Sequence, residues 1–274
     1  MKISLLYCGN RKVFDGMVIS ALSVAKYTDC ALDVHLCTAD FTERNPSYLP
    51  ITISAAEKLE TVLQVKNAGS TVTLHDVKAL FMQYMGCGKN LDTSYTPYTL
   101  LRLVADKADL PDRVLYLDTD TTALADIREL FSFEMEGYDF AGARDHLGQI
   151  FIGRNYMNAG VLLLNLKHLR TTNGLDKVRK LCNCKKWAFP DQDALNHADL
   201  PRRFLPRRYN EQKKQRKDTV IRHFSKTIRW LPFFHTVNVK PWQIAKLHRV
   251  YRMHELDDVL AEYEDLMKNI SISE

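Results

Sequence analysis

Two aspartates, Asp118 and Asp120, follow directly after the apolar run Arg113–Leu117. Side chains two positions apart on a strand point to the same side, so these carboxylates are predicted to project together beyond the end of the strand. At such a separation they repel each other by about 1–4 kcal/mol at effective dielectric constants of 80 to 20. A divalent cation between them removes that repulsion. The pair is therefore predicted to bind a metal ion, and a solvated turn is the alternative, because Asp and Thr are common turn residues.

The segment Asp118–Thr122 fits two classes of enzyme. An apolar strand that ends in D-x-D is typical of metal-dependent glycosyltransferases, whereas D-x-D-x-T is the nucleophile motif of haloacid-dehalogenase-type phosphatases. In those phosphatases the first aspartate attacks the phosphate ester, and the motif usually begins the domain. Here a complete strand–helix–strand unit precedes it. The motif by itself leaves both classes open.

The strand before the aspartates is one of several predicted elements of an α/β fold. The segments Ile3–Cys8 and Val34–Cys37 are predicted to be buried parallel strands, and Phe14–Tyr27 between them has apolar residues at helical spacing. Further predictions are helices at Thr96–Asp106, Gly174–Lys186 and Leu256–Met267, and strands at Asp139–Ala143 and Met157–Leu166. Because strands and helices alternate, one layered α/β domain is expected.

Composition excludes several classes of protein. The chain has 274 residues, of which 46% are hydrophobic and 26% charged, which excludes a disordered or low-complexity protein. The net charge of +5 favours an anionic ligand without identifying it. The first residues form a predicted strand without the features of a secretory signal, and no apolar run approaches the roughly 20 residues that cross a bilayer. A cytoplasmic protein is expected.

Three later motifs distinguish between the two enzyme classes. They are Asn158-Ala-Gly160-Val-Leu-Leu-Leu-Asn165-Leu, then Pro190-Asp191-Gln192-Asp193-Ala-Leu-Asn196, and last the segment 221–230 with His223, followed by Lys240-Pro-Trp242. Together with D-x-D and in this order, they resemble glycosyltransferase family 8, which includes glycogenin and bacterial lipopolysaccharide galactosyl- and glucosyltransferases. The resemblance extends from the first strand to about Trp242.

This resemblance implies an α/β fold with a single Rossmann-like domain of the glycosyltransferase A type, a mostly parallel central sheet and a small C-terminal helical extension. Residues 1–242 would form the nucleotide-sugar glycosyltransferase domain and residues 243–274 the extension. The family transfers a hexose from a UDP-sugar to a saccharide or glycolipid acceptor with retention of anomeric configuration. It uses Mn²⁺, and Mg²⁺ is the alternative ion.

The resemblance also assigns roles to single residues. Asp118, Asp120 and His223 would be the metal ligands, and one imidazole with carboxylate oxygens suits Mn²⁺. Asp191 would bind sugar hydroxyls and Gln192 would lie nearest the anomeric carbon. The other residues expected to bind the donor sugar and nucleotide are Tyr7, Cys8, Asn10, Arg102, Thr119, Asn158, Lys226 and Arg229. Asp145 fits the acceptor side.

The late motif departs from the family pattern H-x-x-G-x-x-K-P-W. Lys226 replaces the glycine and Arg229 the lysine, and Lys240 follows in a separate Lys-Pro-Trp. Arg229, supported by Lys226, is therefore expected to bind the diphosphate, and Lys240 with Trp242 is interpreted as the anchor of a C-terminal turn. Because an amide is a poor nucleophile, retention is expected to proceed through an ion pair rather than a covalent adduct on Gln192.

The segment 201–218 carries eight Lys or Arg against two acids. A run of this kind is usually a solvated surface, but it would also suit an anionic acceptor or peripheral contact with the inner face of an anionic membrane. No nucleic-acid module accompanies the charges, so no nucleic-acid partner is expected. A non-catalytic relative that binds polyanions through this segment is the second alternative to a transferase.

Overall fold

The computed structural model describes residues 1–91, 93, 95–229, 233 and 235–271. Within these residues the strands are β1 Lys2–Cys8, β2 Ala31–Thr38, β3 Thr71–Asp76, β4 Arg113–Leu117, β5 Thr121–Ala123, β6 Phe140–Arg144, β7 Met157–Asn165, β8 Arg202–Phe204, β9 Ile221–His223, β10 Thr227–Arg229 and β11 His235–Val237. The α-helices are α1 Phe14–Tyr27, α2 Ile53–Lys66, α3 Lys78–Met85, α4 Arg128–Phe131, α5 Gly148–Phe151, α6 Leu166–Thr172, α7 Gly174–Cys184, α8 Pro190–His197, α9 Ile244–Tyr251 and α10 Asp257–Ser271.

The predicted elements are present, with one change of type. The strand Arg113–Leu117 and the helix Phe14–Tyr27 have the predicted bounds. The segment predicted as a helix at Thr96–Asp106 forms a 3-10 helix at Pro97–Val104 instead. Shorter 3-10 helices lie at Arg11–Val13 and Arg207–Tyr209.

A seven-stranded sheet with the order β3-β2-β1-β4-β7-β6-β8 forms the centre of the fold. β1, β2, β3 and β4 pair in parallel, β7 is antiparallel to both of its neighbours, and β8 is parallel to β6. The sheet is therefore mostly parallel, as expected, with one reversed strand. Strand pairs β5–β9 and β10–β11 lie outside it.

Side chains of the central strands alternate between two hydrophobic cores. In β4, Leu115 and Leu117 pack with α1, α2 and α10, while Val114 and Tyr116 pack with the helices of the other face. Burial on both faces explains why β1 and β4 are continuous apolar runs. The helices thus cover the sheet on both sides, and the polar groups that follow β4 lie at its edge.

The C-terminal helix α10 packs on the same core as α1 and α2. Its residues Leu260 and Leu266 are buried, and ion pairs of Lys26 with Asp258 (2.7 Å) and Lys66 with Glu262 (2.8 Å) join it to the two helices. No helix in the described ranges has both the length and the apolar character that a membrane span requires.

Strand register brings the sequence motifs to one edge of the sheet. Leu5 of β1 pairs with Leu115 of β4, so Cys8 at the end of β1 lies at the same level as Asp118, which follows β4. Because β7 runs the other way, its first residues reach the same edge, and the amide of Asp118 donates to the carbonyl of Gly160 at 2.7 Å. Pairing of β5 with β9 places His223 opposite Thr121.

Candidate active site

Asp118, Asp120 and His223 converge at this edge. Each offers one ligand atom, and the three atoms lie within 4.8 Å of one another. The Nε2 atom of His223 is 3.2 Å from Asp120 Oδ1 and 3.7 Å from Asp118 Oδ2. Two carboxylates and one imidazole form a mixed oxygen and nitrogen set that fits a divalent transition metal such as Mn²⁺.

His223 is 3% exposed, and a hydrogen bond fixes its tautomer. Its Nδ1 atom lies 3.1 Å from the side-chain oxygen of Asn210. An amide oxygen can only accept, so Nδ1 carries the proton and the lone pair of Nε2 faces the two aspartates. This is the tautomer that a metal ligand bound through Nε2 requires.

Neighbouring side chains determine the orientation of the Asn210 amide. Its nitrogen donates to Asn158 Oδ1 at 2.9 Å, and the Asn158 nitrogen donates to Asp145 Oδ2 at 2.8 Å. A carboxylate accepts hydrogen bonds, so Asp145 sets the direction of both amides. The chain of bonds Asp145–Asn158–Asn210–His223 therefore presents a free imidazole lone pair to the candidate metal site.

Replacing Asn210 with leucine is expected to weaken Mn²⁺ binding by about 10- to 100-fold, the usual cost of losing a group that orients a metal-bound histidine. Calorimetric titration with Mn²⁺ measures the affinity, and ¹⁵N NMR of the histidine ring reports the tautomer in metal-free protein. Asn210→Asp keeps an acceptor for the Nδ1 proton and serves as the conservative variant. An unchanged ring tautomer and affinity in Asn210→Leu would refute this role.

Gly160 of the Asn-Ala-Gly motif lies against two of the candidate ligands. A Cβ atom at this position would overlap the imidazole of His223 and would lie 2.8 Å from Asp118 Oδ2. The motif therefore needs glycine here because the two ligands occupy the space of a side chain.

We expect Gly160→Ala to displace His223 and to lower Mn²⁺ affinity at least about tenfold, since an ångström-scale misplacement of a site residue has effects of this size. Gly153→Ala is the matched control, because a Cβ atom there would have no neighbour within 4 Å. Calorimetry on both variants checks the expectation, and equal affinities would contradict it.

Arg102 connects the candidate metal site to the Asp-Gln-Asp motif. It is 5% exposed, and its guanidinium donates to Asp118 Oδ1 at 2.8 Å and to the carbonyl of Ala159 at 2.6 Å, while Nε is 3.3 Å from Asp191 Oδ2. Burial alone lowers the pKa of Arg102, but Asp118, Tyr116 and Asp191 outweigh burial and raise it. The guanidinium is therefore a fixed positive charge between two carboxylates.

The Asp-Gln-Asp motif begins α8 and faces the same edge. Asp191 is buried, and desolvation raises its pKa although Arg102 opposes the shift. Gln192 Oε1 accepts from the Ala159 amide at 2.9 Å and from the Asn158 side chain at 3.2 Å, and its nitrogen is 3.3 Å from Asp145 Oδ2. Both lone pairs of the Gln192 oxygen are thus engaged in hydrogen bonds.

Lys240 lies in the site, which corrects its interpretation as the anchor of a C-terminal turn. Its Nζ atom donates to Asp120 Oδ2 at 2.5 Å and to the carbonyl of Phe224 at 3.0 Å. Burial raises the pKa of Asp120, but His223 in its protonated form and Lys240 more than offset this and hold the pKa well below its usual range. Lys226 is exposed beside the same cavity, and the Arg229 side chain lies outside the described residues.

A cavity of about 630 Å³ opens beside these residues. The predicted site residues that line it are Asp118, Asp120, Asp145, Asn158, Gln192, His223 and Lys226. Sequence reasoning missed several lining residues, namely Tyr95, His146, Phe151, Tyr156, Phe189 and Gln212. Tyr156 lies two positions before the Asn-Ala-Gly motif, and Gln212 lies within the basic segment. Proximity to a recognised segment was the only sequence feature that could have indicated these two residues.

Six predicted donor-binding residues do not line this cavity, namely Arg102 and Asp191, described above, and Tyr7, Cys8, Asn10 and Thr119. Tyr7 is completely buried, and its hydroxyl donates to Ser20 at 3.0 Å, so the prediction that its side chain binds the donor is wrong. Cys8 and Asn10 are buried at the end of β1, and the carbonyl of Thr119 packs against Gly16 of α1. Cys8, Asn10 and Thr119 remain predictions for the nucleotide.

The sequence matches the family described as Glycosyl transferase family 8 over residues 4–245. Glycosyltransferase GlyA of Streptococcus pneumoniae serotype 4 is 32% identical over 117 residues, which are 43% of this chain and 16% of GlyA. Lipopolysaccharide 1,2-glucosyltransferase of Escherichia coli K12 is 30% identical over 149 residues, which are 48% of this chain and 44% of that enzyme. The chain thus spans less than half of either relative.

Solved structures with the same fold include two glycosyltransferases. GlyE of Streptococcus pneumoniae TIGR4 has a TM-score of 0.65 at 19% identity, over 96% of this chain and 63% of GlyE. The galactosyltransferase LgtC, solved with donor and acceptor sugar analogues, has a TM-score of 0.65 at 18% identity, over 97% of this chain and 96% of LgtC. These neighbours confirm the glycosyltransferase A fold, and with the family match over most of its length the chain belongs to glycosyl transferase family 8.

Proposed function

We propose that the protein transfers a hexose from UDP-glucose or UDP-galactose to a saccharide or lipopolysaccharide-type acceptor, with Mn²⁺ and with retention of configuration. The observation that carries this proposal is the convergence of Asp118, Asp120 and His223 on the cavity of about 630 Å³. The family match supports a glycosyltransferase, and relatives named for glucosyl and galactosyl transfer support a hexose.

Asp118, Asp120 and His223 would hold the metal, with Mg²⁺ as the alternative ion. Bound there, the ion would act as a Lewis acid that neutralises negative charge on the departing diphosphate. Lys226 and Lys240 add positive charge to the same wall of the cavity, and Arg229 is proposed as a further contact of the diphosphate. Cys8, Asn10 and Thr119, at the ends of β1 and β4, are proposed to face the nucleoside.

The donor sugar is proposed to bind among Asp145, Asn158, Asp191 and Gln192. The bond between the anomeric carbon and the diphosphate oxygen breaks, and its electron pair leaves with UDP. The acceptor hydroxyl then forms the new bond from the same face and gives its proton to the departing phosphate oxygen. Because the Gln192 oxygen already accepts two hydrogen bonds, an ion pair is favoured over a covalent adduct. Trapping a glycosyl adduct on Gln192 or Asp191 would contradict this mechanism.

The proposal also includes the domain bounds and the location of the protein. Residues 1–242 are taken as the transferase domain and residues 243–274 as its extension, with Asp145 towards the acceptor. A cytoplasmic location and contact of segment 201–218 with an anionic membrane remain predictions.

The phosphatase interpretation of Asp118 loses its support, because the family match extends over the whole D-x-D region.

A calorimetric screen of donors tests the proposal. UDP-glucose, UDP-galactose and their N-acetyl forms are titrated with and without Mn²⁺, and one of the two simple hexose donors is expected to bind only when Mn²⁺ is present. Tightest binding of an N-acetyl form would refute the hexose assignment. Absence of all UDP-sugar binding, with retained binding of polyanions, would favour the non-catalytic alternative.

A further inference from the structure

Five of the eight cations of the basic segment 201–218 form hydrogen bonds or ion pairs with other residues of the chain. Arg207 pairs with Glu211 and with Asp218, and Arg208 pairs with Glu129 at 2.6 Å. Lys213 and Lys214 differ, because both are exposed and neither forms an ion pair with a described residue. These two lysines are therefore free to bind a ligand.

Lys213 and Lys214 line a second cavity, of about 390 Å³, together with Arg222. The described residues that line this cavity include three cations and no carboxylate. A cavity of this size is in the usual range for small-molecule sites. Its lining therefore favours a small anionic ligand.

Arg222 is the central residue of this cavity. It is 3% exposed, and its guanidinium donates to the carbonyls of Glu211 at 2.8 Å and Lys213 at 3.0 Å, but it pairs with no carboxylate of the described residues. The rings of Phe224 and Tyr251 lie 5.4 and 5.5 Å from it. Buried charges in proteins are normally paired, so the unpaired guanidinium of Arg222 favours the binding of an anion in this cavity.

The second cavity is distinct from the candidate active site but adjacent to it. Arg222 and His223 are neighbours on β9, so their side chains point to opposite faces: His223 faces the aspartates and Arg222 faces the second cavity. Thr227 and Ile228 line both cavities and form the wall between them.

We propose that the cavity lined by Lys213, Lys214 and Arg222 binds a phosphate group, in addition to any site for the donor diphosphate. Two N–H groups of Arg222 donate to the carbonyls of Glu211 and Lys213, and its other N–H groups can donate to phosphate oxygens. The two ammonium groups would balance the remaining negative charge. Free inorganic phosphate and a phosphorylated saccharide share this chemistry. The proposal does not depend on the donor or on the metal.

Calorimetric titration with inorganic phosphate and with glucose 6-phosphate tests the site in the full chain. A Lys213→Gln/Lys214→Gln double variant is expected to bind phosphate at least about tenfold more weakly than the unmodified protein, because two charge-assisted contacts are lost. Arg222→Gln should abolish binding, and the lysine variant keeps the test valid if Arg222→Gln fails to fold. If glucose 6-phosphate binds more tightly than inorganic phosphate, the ligand of the site is a phosphorylated saccharide. If the two bind equally, the ligand is the free anion.

Two control variants locate the binding. Lys177→Gln/Lys180→Gln removes two exposed lysines that line another cavity, and Lys226→Gln removes a cation from the candidate active site. The Lys177/Lys180 variant is expected to bind phosphate as the unmodified protein does, and Lys226→Gln is expected to keep the phosphate binding that depends on Lys213 and Lys214. The proposal is overturned if neither ligand binds, if Lys226→Gln alone loses binding, or if the Lys177/Lys180 variant weakens as much as the Lys213/Lys214 variant.

Discussion

An Asp120→Asn variant is expected to lose Mn²⁺ binding and to transfer sugar about a thousandfold more slowly, the upper range for removal of one group that stabilises developing charge. Asp120 is the carboxylate nearest to His223 and also the partner of Lys240. An amide keeps the size of the carboxylate but removes the negative charge that faces Lys240 and the candidate metal site. Calorimetry measures Mn²⁺ binding, and release of UDP from the preferred donor measures transfer.

Asp199→Asn is the matched control for this substitution. Asp199 is exposed and lies outside the cavity of about 630 Å³, so the same chemical change there should leave Mn²⁺ binding and transfer unaltered. Circular dichroism spectra of both variants establish that they are folded. If Asp120→Asn bound Mn²⁺ as tightly as the control, the metal assignment would be wrong.

The sequence predicts elements well where hydrophobic burial decides them. β4 is buried on both faces, so its apolar run has the bounds of the strand, and Asp118 and Asp120 follow at the edge as expected. The type of helix at Pro97–Val104 could not be predicted, because local apolar spacing does not distinguish a 3-10 helix from an α-helix. In this 3-10 helix, buried Arg102 contacts the carbonyl of Ala159 and the carboxylate of Asp118, which are distant in the sequence.

Contacts between distant segments were harder to predict than the motifs themselves. Lys240 bonds to Asp120 across 120 positions, and a Lys-Pro-Trp sequence carries no sign of that partner. Asn210 determines the tautomer of His223, yet the sequence around Asn210 does not indicate that partner. The error at Tyr7 has a related cause, since alternation along β1 directs that side chain into the core below the edge.

An Arg102→Met variant is expected to lose about 3–5 kcal/mol in the free energy of unfolding, because it leaves buried Asp191 and half-buried Asp118 without their partner. It is also expected to slow sugar transfer by about a hundredfold, because Arg102 fixes Asp118 on one side and Asp191 on the other. Loss of the guanidinium removes the charge that opposes the raised pKa of Asp191, so this carboxylate should take up a proton at higher pH than in the unmodified protein. The acidic limb of the pH–rate profile should therefore move to higher pH.

Arg179→Met separates the two effects of the Arg102 substitution. Arg179 is 3% exposed and pairs with buried Asp106 at 2.5 Å, but its other partners are Leu103 and Asp176 and not the carboxylates of the candidate site. Its replacement should lower the free energy of unfolding by a similar amount, measured by urea denaturation, while the folded protein keeps its transfer rate and pH–rate profile. If both variants slowed transfer equally at temperatures where they are folded, Arg102 would act only through stability. A loss confined to Arg102→Met would show that its guanidinium positions the carboxylates of the site, because destabilisation is common to both substitutions.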